Sequence, residues 1–412
     1  MVSIIVAGFI AAVISCYHAL CQGGPVVDGM SGYPYSTFLF RPDDQFMDFF
    51  NLQAVHFDPY LHLDQLRICF PFVYTISSLL FMVEAHEGFV IFNILFFVPL
   101  IFLSWHYLKG GSKFNTCRDV IIFTCLTYPV LICFDRGNLE NWQFILLVAL
   151  LYLFTAKRYY AAAVVLGVAI AFKPFPIVFL ILFLTEKKFL PAVVSVVVAV
   201  GLTFGSLLLF AGGFSYNLHT WLGELAKYQQ QYAGGIEGIF FGHSLCGMLK
   251  YIYLHHAGVA PGLHTHARML LISKLYFPFA AVVGLAAFAY LAKFRSSLLV
   301  WEKWAILLFC MTALPFVSGD YTLIHYFIPI YLFLNAPAMA RGRDMVLAVL
   351  FALLLIPKSY FYHWPVAPEL TIAVVINPLL QLAIVGVIVC RKRPDASRAP
   401  GFQEGLPSPV GA

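Results

Sequence analysis

The chain has 412 residues, 61% of them hydrophobic and only 11% charged, with a net charge of +5 and a mean hydropathy of +0.85. Soluble domains carry roughly 25% charged residues, and no water-soluble fold of this size has core enough to hide so much apolar side chain. Collagen, disordered chains and disulfide scaffolds are excluded with it, and the small net charge gives no nucleic-acid signal. What remains is a polytopic membrane protein. Its 41 Phe and 22 Tyr suit that class, because aromatic rings pack against lipid and sit well at headgroup level.

In chain order, apolar stretches occur at 2–21, 88–108, 117–134, 141–156, 159–172, 174–185, 189–211, 269–292, 303–319, 322–340, 345–361 and 370–390. A crossing needs roughly 20 residues, with ~17 the usual lower limit, so 159–172 and 174–185 are each short. They form either one span broken at Lys173-Pro174 or two short helices meeting at one surface. The basic clusters decide between these. Lys109/Lys113/Arg118, Lys157/Arg158, Lys187/Lys188, Lys293/Arg295/Lys303, Arg341/Arg343 and Arg391/Lys392/Arg393 follow the spans, and such clusters favour the cytoplasmic side. All of them fall there only if 159–185 runs out and back, with Lys173 at the outer turn.

The expected fold is therefore all-α, with about twelve transmembrane helices and both termini cytoplasmic. The transmembrane unit covers 1–393, with outer loops at 22–87 and 212–268, and the apolar 68–83 stretch is interfacial or re-entrant. Residues 394–412, rich in Pro, Gly and Ser, read as a disordered cytoplasmic tail. The first segment reads as a retained span. Val13-Ile14-Ser15-Cys16 resembles a lipobox, but no Lys or Arg precedes the apolar run as in a signal peptide. The nine Cys lack metal-ligand spacing and suit buried thiols, which behave as small hydrophobes. Cys16 and Cys21 are near enough in sequence to pair, though nothing requires it.

This topology gathers polar residues on the outer face. The first loop carries Arg41, Asp43, Asp44, Asp48, His56, Asp58, His62 and Asp64. The later turns read Asp135-Arg136-Gly137-Asn138-Leu139-Glu140, Lys173-Pro174-Phe175-Pro176 and Ser318-Gly319-Asp320-Tyr321-Thr322-Leu323-Ile324-His325. The long outer loop holds His219, Glu224, Lys227, His243 and Ser244. Ionisable groups at membrane depth are costly and mark a substrate path or an internal pair. Each has an ordinary alternative: loop carboxylates are solvated, Lys173 snorkels, Arg136 pairs with Asp135 or Glu140, and His325 bonds a neighbouring helix. As a set they suit one chemistry, in which a carboxylate deprotonates an acceptor hydroxyl while Arg, Lys and His hold a departing lipid-linked phosphate. Carriers instead place charges mid-helix or at paired broken helices near the midplane.

Four stretches resemble one known family. They are Met47-Asp48-Phe49-Phe50-Asn51 with Asp58-Pro59-Tyr60; Arg136-Gly137-Asn138 before the Leu-rich run at 144–147; Ala171-Phe172-Lys173-Pro174-Phe175-Pro176; and Gly242-His243-Ser244-Leu245. Ser318–Pro329, with His325, is a looser fifth. In order and spacing these resemble the polyprenyl-phosphate-mannose-dependent α-1,2-mannosyltransferases of the phosphatidylinositol-mannoside type, within the GT-C glycosyltransferases. The chain departs from that pattern where a Gln is missing beside Gly137, where His243 replaces a Gln, and where a double His is reduced to His325.

The resemblance implies an inverting transfer of a sugar, with mannose the one expected, from a polyprenyl-phosphate donor to a glycolipid or cell-envelope glycan. The setting it implies is a bacterial plasma membrane, with the site facing the periplasm or cell exterior. Carried over, Asp48 is the general base, and Lys173, Arg136 and His325 bind the donor phosphate. Asp44 and Asp58 are fallback bases, and Tyr60, Asn138 and His243 are further sugar or acceptor contacts. No cofactor and no metal are implied, and no Gly-x-Gly-x-x-Gly opens a helix. The rival readings are a non-catalytic transporter of lipid-linked saccharides and an assembly partner of a larger synthase.

Overall fold

The computed structural model describes residues 1–21, 26–27, 30–31, 46–53, 70–80, 85–109, 112–239, 242–257, 263–337, 341–360, 363–364 and 367–391. They form a helical protein with two short antiparallel ribbons, Val26–Val27 with Met30–Ser31 and His363–Trp364 with Ala367–Thr371. The tail at 394–412 and most of the first outer loop, including Asp44, Asp58 and Tyr60, lie outside the described residues.

The apolar runs fold as helices because a backbone in lipid must satisfy its own polar groups. His86–Tyr107, Phe189–Ser206 and His266–Lys293 are each long and apolar enough to cross a membrane, and Lys113–Cys125 with Tyr128–Arg136 makes a fourth if that bent pair is one span. The bend is 51°. Pro129 sits in the first turn of the second piece, where its missing N–H and its ring, crowding the carbonyl four residues back, favour a kink. Shorter apolar helices include Val2–His18, Glu140–Thr155, Tyr159–Phe172, Phe175–Thr185 and Ala373–Val389. Large side chains such as Leu275, Val282 and Leu285 on the long Leu263–Lys293 helix are about two-thirds exposed. An apolar surface that wide needs lipid to cover it.

The 159–185 region turns back on itself. Lys173 is extended, ending the Tyr159–Phe172 helix, and Pro174 starts the next turn. At the far end the Lys188 ammonium lies 4.8 Å from the Tyr159 ring, so the chain leaves and returns to the same level. Lys157 and Lys187 make the tight turns there, both with positive φ. Arg295 donates to Thr185 O at 2.8 Å, Lys303 lies 3.9 Å from Glu186, and Arg391 bonds Glu302 at 2.8 Å. Four basic clusters thus share one end, and Lys173 stands at the other.

The core runs between these ends, around Trp301, Trp304, Phe179, Phe327 and Tyr331. A second apolar cluster sits near the Lys173 end, where Phe49, Phe72, Phe92, Phe172 and Trp221 meet. The 68–83 stretch contributes the helix Pro71–Leu80 to it, with Phe72, Val73 and Tyr74 buried. The described cysteines, Cys16 and Cys21 among them, form no disulfide.

Candidate active site

The site begins where Tyr128–Arg136 ends. Gly137 adopts a left-handed conformation (φ 60°) and its N–H closes the helix onto the Cys133 and Phe134 carbonyls. A Cβ there would lie 2.7 Å from Phe49 Cβ, so glycine is what lets the short helix Met47–Gln53 come in close. Phe46 N donates to Asp135 O at 2.6 Å, fixing the start of that helix. Asp48, in its first turn, then meets both neighbours of Gly137. Arg136 Nη2 donates to Asp48 Oδ1 at 2.7 Å and Asn138 Nδ2 to Asp48 Oδ2 at 2.6 Å. Asp48 and Arg136 are each about a quarter exposed. One carboxylate is therefore held by a cation and an amide and still open on one side.

Asn138 links this pair to a second carboxylate, its Oδ1 accepting the Glu140 N–H at 2.9 Å. Glu140 opens the helix Glu140–Thr155, and its side chain is 3% exposed. A buried charge must be paired, and Glu140 is paired twice. Lys173 Nζ donates to Oε1 at 2.5 Å, and His325 Nε2 lies 2.7 Å from Oε2. His325 is fully buried, and its Nδ1 has no hydrogen-bond partner among the described residues. The Lys173 ammonium also lies 5.2 Å from the Tyr321 ring in a cation–π contact, and it stays a quarter exposed.

A wholly buried second network holds the turn that carries Tyr321 and His325. Asp320 accepts from Tyr128 Oη at 3.0 Å, Ser359 Oγ at 3.0 Å and Asn377 Nδ2 at 3.3 Å. Its Oδ1 lies 3.3 Å from His243 Nδ1. The other His243 nitrogen reaches Thr322 Oγ1 at 3.1 Å and Ser318 Oγ at 3.3 Å. His243 N donates to Ser318 O at 2.9 Å, fastening the start of the Leu245–Ala257 helix to the same turn. On that helix Lys250 donates to the Ala233 and Gly235 carbonyls, and burial pushes its ammonium below the ordinary lysine range.

Of the residues singled out from sequence, Asp48, Arg136, Asn138, Lys173 and His325 thus form one chain of contacts through Glu140. His243 belongs to the Asp320 network. Asp44, Asp58 and Tyr60 lie outside the described residues. Sequence reasoning takes Glu140 only as a local partner for Arg136 and gives Asp320 no role. The signal that could have found them is that each is a carboxylate at the mouth of an apolar run, where a lone charge cannot stand. Chemically, the cluster offers a half-open carboxylate for taking a proton and, a short way off, an ammonium and an imidazole for meeting an anion.

No curated protein matches the chain. The profile of Glycosyltransferase family 87 matches residues 70–319, a span that holds Arg136, Asn138, Glu140, Lys173 and His243 and leaves Asp48 and His325 outside it. With more than half of its length matched in this way, the chain belongs to glycosyltransferase family 87 and is a membrane glycosyltransferase of the GT-C type.

Proposed function

We propose that the protein transfers mannose from polyprenyl-phosphate mannose to a glycolipid or cell-envelope glycan, with inversion, on the outer side of a bacterial plasma membrane. The observation that carries this reading is the contact chain Arg136–Asp48–Asn138–Glu140–Lys173/His325, which draws on four segments distant in sequence. In the proposed reaction the acceptor oxygen attacks the sugar C1 from the face opposite the phosphate. Asp48 takes the acceptor proton as the new bond forms, and the C1–O bond to phosphate breaks with its electron pair going to the phosphate oxygen. Lys173 and His325 meet that growing charge, with Arg136 orienting Asp48 as well as adding to the field. Fixed cations aimed at developing charge lower a barrier because they need no reorganisation when the charge appears.

The full topology belongs to the same proposal: about twelve crossings, with both termini and the basic end cytoplasmic and the site end outside. Asp44 and Asp58 remain the alternative bases, and Tyr60, Asn138 and His243 the sugar or acceptor contacts. The test is transfer of labelled mannose from synthetic polyprenyl-phosphate mannose by purified protein in lipid, comparing wild type with Asp48→Ala. Loss of a general base costs ~10²–10⁴ in rate, and a loss of that size is expected. Equal transfer by both proteins clears Asp48 and moves the base to Asp44 or Asp58, and no transfer by wild type overturns the donor.

A further inference from the structure

The groups assigned to the donor phosphate are not idle. Lys173 Nζ and His325 Nε2 both contact the Glu140 carboxylate, at 2.5 and 2.7 Å. The two sides of this contact differ in freedom. Glu140 is 3% exposed, in the first turn of a helix, and bonded through its own N–H to Asn138. Lys173 is a quarter exposed and carries its charge on a flexible four-carbon stem. His325 keeps its second nitrogen, Nδ1, buried and without a hydrogen-bond partner among the described residues.

We infer that Glu140 is a fixed counter-ion with which the substrate phosphate competes for Lys173 and His325, and that this competition sets how readily the phosphate product leaves. The inference rests on the polyprenyl-phosphate reading above. Its physical basis is a difference in charge between the two ends of the reaction. A sugar phosphodiester carries one negative charge. After the C1–O bond breaks, the polyprenyl phosphate is a monoester whose second ionisation falls near pH 6, so at neutral pH it carries close to two. Cations alone would therefore hold the product more tightly than the donor. A carboxylate fixed beside them opposes the doubly charged product more than the singly charged donor, and it offers Lys173 a partner to return to as the product departs.

The sign of this effect separates it from a merely structural role. Glu140→Gln keeps the shape and removes the negative charge that contacts Lys173 and His325, the groups assigned to the phosphate. Unit charges a few ångströms apart near a protein surface interact by several kcal/mol, so polyprenyl phosphate should bind the variant roughly tenfold more tightly or better. Product inhibition should strengthen in parallel while kcat falls. A residue that only propped up the fold would weaken binding when lost.

The experiment is titration of a short-chain polyprenyl phosphate into purified protein in lipid nanodiscs, read by calorimetry. Wild type, Glu140→Gln and Glu140→Gln/Lys173→Met are compared. The double variant removes the Glu140 and Lys173 charges together, which cores tolerate far better than losing one of a pair, and leaves His325 facing an amide in place of the carboxylate. It should bind at least tenfold more weakly than Glu140→Gln and more weakly than wild type. Unchanged or weaker binding by Glu140→Gln overturns the inference while leaving the donor reading in place. A double variant that binds as well as wild type does the same, and that comparison decides the matter if Glu140→Gln does not fold. Failure of wild type to bind polyprenyl phosphate overturns the donor reading itself, and the counter-ion role with it.

Discussion

Gly137 shows how much of the site depends on one backbone angle. Its left-handed turn sends Arg136 and Asn138 onto the two oxygens of the same carboxylate, and its missing Cβ leaves room for Phe49. Gly137→Ala would carry a left-handed penalty of roughly 1–2 kcal/mol and a 2.7 Å approach to Phe49 Cβ. The helix bearing Asp48 would have to shift, and a misplacement of ~1 Å can cost ~10²-fold in rate. We expect a small drop in thermal midpoint and at least a tenfold fall in transfer by purified enzyme. Transfer at the wild-type rate would mean that Asp48 does not depend on this packing. The same turn explains why the residue roles are only partly legible in the sequence. Polar residues at the ends of apolar runs mark Arg136, Lys173 and His325, because lipid makes such groups expensive, whereas Asp48 is singled out from the other first-loop acids only by the family resemblance. Partner choice follows from geometry instead. Arg136 and Glu140 are four apart in sequence, but the turn at Gly137 divides them, one facing Asp48 and the other facing Lys173 and His325.

At the scale of elements, the Ser318–Tyr326 turn is the piece that must not move, since it carries both His325 and Tyr321 to the Lys173 end. It is anchored by Asp320, which takes hydrogen bonds from the 128–136 helix, from Ser359 and from the Ala373–Val389 helix. Asp320→Ala would take a buried hydrogen-bond partner from Tyr128, Ser359, Asn377 and one side of His243. Breaking a buried charged network costs about 3–5 kcal/mol, so a clear fall in thermal midpoint is expected, with a milder one for Asp320→Asn. Thermal unfolding in detergent reads this directly, and an unchanged midpoint for Asp320→Ala would show that the network does not hold the turn in place. The turn at Lys173-Pro174 can be read from sequence, because the lysine and proline interrupt an apolar run. The bend between Cys125 and Tyr128 cannot, although Pro129 marks it: 117–134 has apolar residues on both sides of the break, and hydropathy does not register a change of direction. The Asp320 network is also out of reach, since its members come from five places in the chain and only packing brings them together.

For the whole molecule, the two ends have opposite characters. One gathers Lys157, Arg158, Lys187, Lys188, Arg295, Lys303 and Arg391 around short turns. The other gathers Asp48, Glu140 and Asp320 with His325 and Lys173. The packing supplies this separation independently of any assumption about a membrane: Asn377 bonds Asp320 at one end of the last helix, and Arg391 bonds Glu302 beyond its other end. Asn335, beyond the helix that follows His325, likewise bonds Tyr107 O beside Lys109. Positive clusters are retained on the cytoplasmic side during insertion, so the site end should face outward, where lipid-linked sugars would be consumed. Cysteine accessibility tests that orientation. In a background with the native cysteines replaced, Lys227→Cys stands on the helix Gly213–Tyr228, at a position whose side chain is 71% exposed, and Lys157→Cys stands on an exposed turn at the basic end. A membrane-impermeant thiol reagent applied to intact cells should label Lys227→Cys at once and Lys157→Cys only after the membrane is opened. The reverse pattern would put the carboxylate cluster in the cytoplasm, where the donor would have to be presented from the inner leaflet and the acceptor could not be an outer-surface glycan.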